Sequence, residues 1–227
     1  MSETRARNME KRRQRILDAA RAIIIDKGID GLTTRGLADV AGVTAPTLYN
    51  LIGGKDEIIR AMISEGVERV WDQLDFASCQ TPLEMAELII DKAFSQVMSD
   101  QGYFRAVTLA TDRVTGSYAA RGDMAFEHSA AGQRSVEMAT TVCRTAIAQN
   151  MLSGRISAET LGLEMFISYR GPMRDWAHGI ISAKECRRRQ MRGFYLVMAA
   201  DATPEFRELL LGKIEDLETE ADGAKAA

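Results

Sequence analysis

Residues 16–63 read ILDAARAIIIDKGIDGLTTRGLADVAGVTAPTLYNLIGGKDEIIRAMI. Ile16, Leu17, Ala20, Ile23 and Ile24 recur at the 3.6-residue period, which predicts an amphipathic helix over 10–27. Gly28 offers its stop. Thr33 can cap a second, shorter helix whose apolar residues are Leu37, Val40 and Ala41. Gly42 breaks that helix and supplies the positive φ that a sharp interhelical turn requires. Thr44 can cap a third helix with Pro46 in its first turn, where a missing N–H does no harm. Gly53-Gly54 ends it, and Lys55-Asp56-Glu57 opens a long amphipathic helix carrying Ile58, Ile59, Met62, Ile63, Val70, Trp71 and Leu74.

Short helix, glycine turn, short helix is the grammar of a helix-turn-helix. Leu37, Val40, Val43 and Leu48 are expected to pack the two helices together. Thr44, Ala45, Pro46, Thr47, Tyr49 and Asn50 are then left for the edges of bases in a major groove. Thr34 and Arg35 open the supporting helix, and Lys55 stands at the positive end of the next one. All three suit backbone phosphate.

Charge points the same way. Residues 1–55 carry ten Lys/Arg and six Asp/Glu, a net of +4 within a chain of net −3, which leaves −7 for the remainder. A basic head on an acidic body is what a protein shows when only its head meets a polyanion.

Beyond residue 55 the helical signals continue. Thr81-Pro82-Leu83-Glu84 is a capping box, leading into Met85, Leu88, Ile89 and Val97. Residues 99–127, with Gly102, Gly116 and Gly122, read as short helices and loops. Helices are expected over 128–151, from Ser157 to about Ile180, from Ser182 to about Ala200, and from Thr203 onward, with a frayed tail ADGAKAA. The expected fold is all-α. An N-terminal three-helix helix-turn-helix domain (residues 1–54) precedes a larger helical effector-binding and dimerisation domain (residues 55–227).

In combination, residues 16–63 resemble the TetR (tetracycline-repressor-like) family. Thr33 and Thr34 match its cap of the supporting helix. Ala38, Ala41, Gly42 and Val43 match its turn, and Thr44 stands where the family has a capping Ser or Thr. Thr47-Leu48-Tyr49 matches a segment whose tyrosine touches DNA, and Lys55 matches its phosphate-clamping lysine. Asn50, Leu51 and Ile52 depart from the family's aromatic or His followed by Phe. Gly54 replaces a capping Ser or Asn. Gly36 replaces a common acidic residue, at a cost of about 1 kcal/mol in a helix. These departures bear on the base contacts.

The resemblance implies double-stranded operator DNA as partner, a homodimer, and an apolar pocket for a small-molecule effector in the body. The body's Met and aromatic residues are the candidates for that pocket: Met62, Phe94, Phe104, Met138, Met165, Tyr169 and Trp176, with Met85, Phe166 and Met173 in the same class. Met suits irregular apolar ligands. Residues 157–200 resemble the family's dimer-forming helix pair. Pro172 is expected to kink its first helix. Met191, Phe194 and Met198, with the Trp176 region, are expected to supply the interface.

Other functions fit less well. Gly53-Gly54-Lys55 is no P-loop, because Tyr49 and Asp56 occupy positions that need Gly and Ser/Thr. His128 and His178 are the only histidines and lie fifty residues apart. Cys79, Cys143 and Cys186 show no ligand spacing. No catalytic residue, metal site or cofactor is therefore expected. No apolar run is long enough to span a bilayer, and the charged N-terminus lacks a signal core. The expected compartment is the cytoplasm, with no membrane partner. Arg187, Arg188, Arg189 and Arg192 read as a solvated helix face. The alternatives are a helical enzyme and an architectural or partner-binding helical protein without a ligand.

Overall fold

A computed structural model describes residues 3–119 and 129–225 of the chain, and His128 lies outside them. The described residues form ten α-helices. The first four are α1 (Glu3–Lys27), α2 (Thr34–Ala41), α3 (Ala45–Leu51) and α4 (Lys55–Asp72). They are followed by α5 (Pro82–Ser99), α6 (Gln101–Ala119), α7 (Ala130–Ala148), α8 (Ala158–Ala177), α9 (Ala183–Ala199) and α10 (Pro204–Lys225).

The caps set the boundaries. Thr33, Thr44, Thr81, Ser129, Ser157 and Ser182 each accept the backbone N–H three residues on, satisfying a donor that the first helical turn leaves free. Two stretches differ from the sequence-based expectation. Residues 101–119 form one continuous helix, not short pieces. Asp100 Oδ1 accepts the Tyr103 N–H at 3.1 Å to start it, and Gly102 falls in its first turn, where glycine costs little. The last helix reaches Lys225, further into the tail than expected. Helix α8 continues through Pro172.

The head is α1, α2 and α3, with a core of Ile16, Leu17, Ala20, Ile24, Leu37, Ala38, Ala41 and Leu48. Val40 takes no part in it. It is 63% exposed, because on an eight-residue helix the buried stripe falls on Leu37, Ala38 and Ala41. The packing does not stop at Gly54. Ile58, Ile59 and Met62 of α4 and Tyr103, Val107 and Ala110 of α6 belong to the same apolar cluster, so the head is seated on the body.

The body packs α5, α7, α8, α9 and α10 around a second core that includes Ile90, Met138, Val142, Met165, Phe194, Met198 and Leu210. Two glycines permit its closest approaches. A Cβ on Gly162 would lie 2.7 Å from the Thr140 backbone nitrogen, and one on Gly193 would lie 2.8 Å from Ser168 Oγ. Buried Asp201 ties the α7–α8 connection to the α9–α10 junction, accepting from Ser153 Oγ at 2.6 Å and Gly154 N at 2.8 Å.

The arginines of α9 are spent on this scaffold. Arg187 pairs with Asp91, Arg188 with Glu185, and Arg189 with Glu185 and Asp175. Hydrogen bonds from Arg188 and Arg189 hold the Glu185 carboxyl down at about 2. The sequence suggested a solvated face; these arginines are instead half-buried and engaged in ion pairs.

Candidate nucleic-acid interface and an apolar cavity behind it

The turn between α2 and α3 is built by Gly42, whose φ of 62° lies in the left-handed region that glycine adopts without strain. The Val43 N–H reaches back to the Ala38 carbonyl at 3.0 Å, closing the end of α2. Leu48, fully buried, pins α3 to the head. The opposite side of α3 is open. Tyr49 is 54% exposed, and Thr44, Pro46 and Asn50 are exposed beside it.

Two expected base-facing residues are partly engaged. Ala45 is half-buried against the head core. Thr47 is half-buried, and its hydroxyl shares a 2.8 Å hydrogen bond with that of Thr44. At the start of α2, Arg35 is exposed and Thr34 half-buried.

Lys55 is not a free cation. Its Nζ donates to the Ile29 carbonyl at 2.8 Å, tying the start of α4 to the 3-10 turn that follows α1. The same corner is held by Glu57, whose carboxylate accepts the Gly54 N–H at 2.9 Å. This is the half of a capping box that survives with glycine at the cap. Gly53, at φ 121°, turns the chain where a Cβ would sit 2.6 Å from Glu57 Cγ.

Behind the head, α4, α5, α6 and α8 enclose a cavity of about 430 Å³. Met62, Phe104 and Tyr169, expected from the sequence, line it, as do Val67, Phe166 and Met173. Arg170, Arg174, Thr108 and Thr111 give it a polar edge. Four expected residues lie elsewhere. Met138 lines a smaller adjoining space of about 100 Å³. Phe94 and Trp176 face a slot of about 10 Å³, too small for a ligand. Met165 is fully buried, its sulfur 3.5 Å from that of Cys143. Period alone could not separate lining from filling, because both kinds of residue sit on inward faces of their helices.

Tyr103 joins the cavity to the head. It lines the cavity, and the Arg21 guanidinium of α1 stands 4.8 Å from its ring centroid. Burial pushes its hydroxyl above the usual phenol range, with Arg21 pulling the other way. Nearby, Glu65 of α4 accepts from Gln14 of α1 at 3.1 Å and lies 4.0 Å from Arg21 and 3.7 Å from Arg69.

The expected interface residues do not lie on the surface. Met191, Phe194 and Met198 are interior, with Phe194 2% exposed, and so is Trp176. Helices α5, α8 and α10 already pack on α9, and the stripe lies in the body core, so these side chains have no area left for a partner. The exposed large apolar residues of the region are Ile167 on α8, Ile180 in the turn after it and Leu196 on α9, at 49%, 70% and 52%. Cys143 and Cys186 are buried, with burial pushing both thiols up to about 12. Among the described residues no cluster of three or more His, Cys, Asp or Glu could hold a metal ion. No helix among them is long and apolar enough to cross a membrane.

Residues 16–62 match the family model of the bacterial regulatory proteins of the tetR family. The chain is 29% identical over 115 residues to the HTH-type transcriptional regulator SrpR of Pseudomonas putida, an alignment covering 45% of this chain and 52% of SrpR. It is 40% identical over 60 residues to the class D tetracycline repressor protein of Escherichia coli, covering 26% of this chain and 28% of that protein. The chain thus spans about half the length of the first of these relatives and less of the second. A solved structure from Rhodococcus sp., described as a TetR-family transcriptional regulator, superposes with a TM-score of 0.63 at 19% identity, over 83% of this chain and 99% of that one. That likeness carries the fold through the divergent body. The head thus matches the tetR family model over residues 16–62, and the chain as a whole shares its fold with solved structures described as TetR-family regulators.

Proposed function

We propose that the protein is a repressor that binds palindromic operator DNA as a homodimer in the cytoplasm and is released by a small apolar or amphipathic effector. The observation that carries this reading is the open side of α3. Leu48 is locked inward while Thr44, Tyr49 and Asn50 face out, the presentation a recognition helix needs to enter a major groove. Thr34 and Arg35 on α2, Pro46 and Thr47 on α3, and Lys55 on α4 flank it.

The effector would occupy the cavity lined by Met62, Phe104, Phe166 and Tyr169. Its volume of about 430 Å³ falls within the range of small-molecule sites. The cavity adjoins the head through Tyr103 and Arg21. An occupant pressing on Met62 or Tyr103 would therefore tilt α4 or α1. Two recognition helices must stand about 34 Å apart to enter successive grooves, so a small tilt in each subunit spoils the fit.

The dimer would form on the exposed side of α8 and α9. Glu164, Ile167, Gly171 and Arg174 follow one another at helical spacing there, with Leu196 on the neighbouring helix. The chemistry is recognition, with no enzymatic step.

The test is selection of bound sequences from a random duplex pool with the full chain. An inverted repeat with half-sites about one helical turn apart is expected. Recovery of duplexes without a shared motif would overturn sequence-specific repression.

A further inference from the structure

Helix α1 begins at Glu3, well before the family match at residue 16. The extra turns are strongly basic: Arg5, Arg7, Lys11, Arg12, Arg13 and Arg15 stand against a single Glu10 between residues 5 and 15. Arg13 pairs with Glu10 at 3.9 Å. Arg5, Arg7, Lys11 and Arg12 form no ion pair among the described residues, and all four are exposed.

Their position is set by the helix itself. Arg5, Asn8, Met9 and Arg12 continue upstream the stripe that Ile16 and Ala20 bury in the head core. From residue 13 back to residue 3 the helix overhangs by about 15 Å at 1.5 Å per residue. There the stripe leaves the core and stands beside the recognition helix. Arg5, Asn8, Met9 and Arg12 form one wall of a groove of about 500 Å³, and Thr47, Asn50 and Leu51 of α3 form the other. A merely solvated helix face would mix signs along its length. This one is nearly all positive and adjoins the surface proposed to enter DNA.

We infer that the first turns of α1 are a second DNA contact: a helical arm laid against the sugar–phosphate backbone that borders the groove occupied by α3. The inference rests on the DNA-binding reading of the head. The ligand is the phosphodiester backbone of duplex DNA, bound without base preference. Arg5, Arg7, Lys11 and Arg12 supply the charges, and Asn8 a neutral hydrogen-bonding group.

The test compares the full chain with R5Q/R7Q/K11Q/R12Q, in which glutamine keeps helix propensity. Binding to a short random-sequence duplex is followed across a salt gradient. Each phosphate contact contributes roughly 0.9 to the slope of log K against log salt, so the variant's slope should be shallower by about 2–3.5 per subunit. Its base preferences in the selection should not change. R5K/R7K/R12K, which keeps the charge, should retain the wild-type slope. An unchanged slope in the glutamine variant overturns the arm, and so does a changed base preference at an unchanged slope. Y49A, run in parallel, separates the two readings. If Y49A binds and selects like wild type while the glutamine variant loses slope, the recognition-helix reading fails and the arm remains. The converse removes the arm alone.

Discussion

Lys55 holds two positions at once. In the protein alone its ammonium caps the Ile29 carbonyl at 2.8 Å, and on DNA the same charge is proposed to meet a phosphate. Lys55→Ala therefore has two separable effects. Losing one hydrogen bond to a charged donor should lower stability by about 1.5–3 kcal/mol at most, and less at this half-exposed site. Losing one phosphate contact should reduce the salt slope by about 1 per subunit, with a uniform loss of affinity across sequences. Thermal melts and salt titrations read the two independently, and an unchanged slope would confine Lys55 to the fold. The sequence made the placement of Thr33, Gly42, Thr44 and Leu48 legible, because caps, left-handed turns and buried anchors are local requirements. It did not reveal the Lys55–Ile29 bond, which depends on how α4 docks against the turn after α1. Nor did it reveal the Thr44–Thr47 hydroxyl pair, which uses groups that local rules leave free for DNA.

At the scale of the element, α9 shows where periodicity stops informing. Met191, Phe194 and Met198 form the apolar stripe read from the sequence, yet that stripe faces the subunit's own core. A stripe says that a helix buries a face, not whether its own chain or a second copy covers it. The exposed Leu196, off the stripe, is the informative residue. Two substitutions on one helix therefore diverge. Phe194→Glu should unfold the body, because an unpaired charge in the core costs several kcal/mol. Leu196→Glu should keep the helical circular dichroism and convert the proposed dimer to monomer in light scattering. A folded Leu196→Glu dimer of unchanged stability would move the interface elsewhere, and a folded Phe194→Glu protein would contradict the packing of α9. Helix α6 failed to register in the sequence for a related reason. Its glycines weaken the local signal, while Tyr103, Val107 and Ala110, packed beneath the head, hold it through contacts distant in sequence.

For the whole molecule, the cavity and the exposed side of α3 lie at opposite ends of one continuous apolar cluster. Met62 and Tyr103 belong both to the cavity wall and to the head core. Occupants at the two ends are expected to oppose each other, and linkage makes the effect reciprocal. An environment-sensitive naphthylamine dye that binds the cavity should bind more weakly once operator is present, by the same factor by which it weakens operator. Equal dye affinity with and without operator would leave a DNA-binding protein that the cavity does not control. The central claim is that α3 reads DNA, and the most direct measurement is the random-duplex selection carried out side by side with the full chain and its Tyr49→Ala variant. The account predicts an enriched inverted repeat for the wild type, and for a variant with unchanged circular dichroism a loss of enrichment of ten-fold or more, on the order of 1–3 kcal/mol. Equal enrichment of the same motif by both proteins would contradict it.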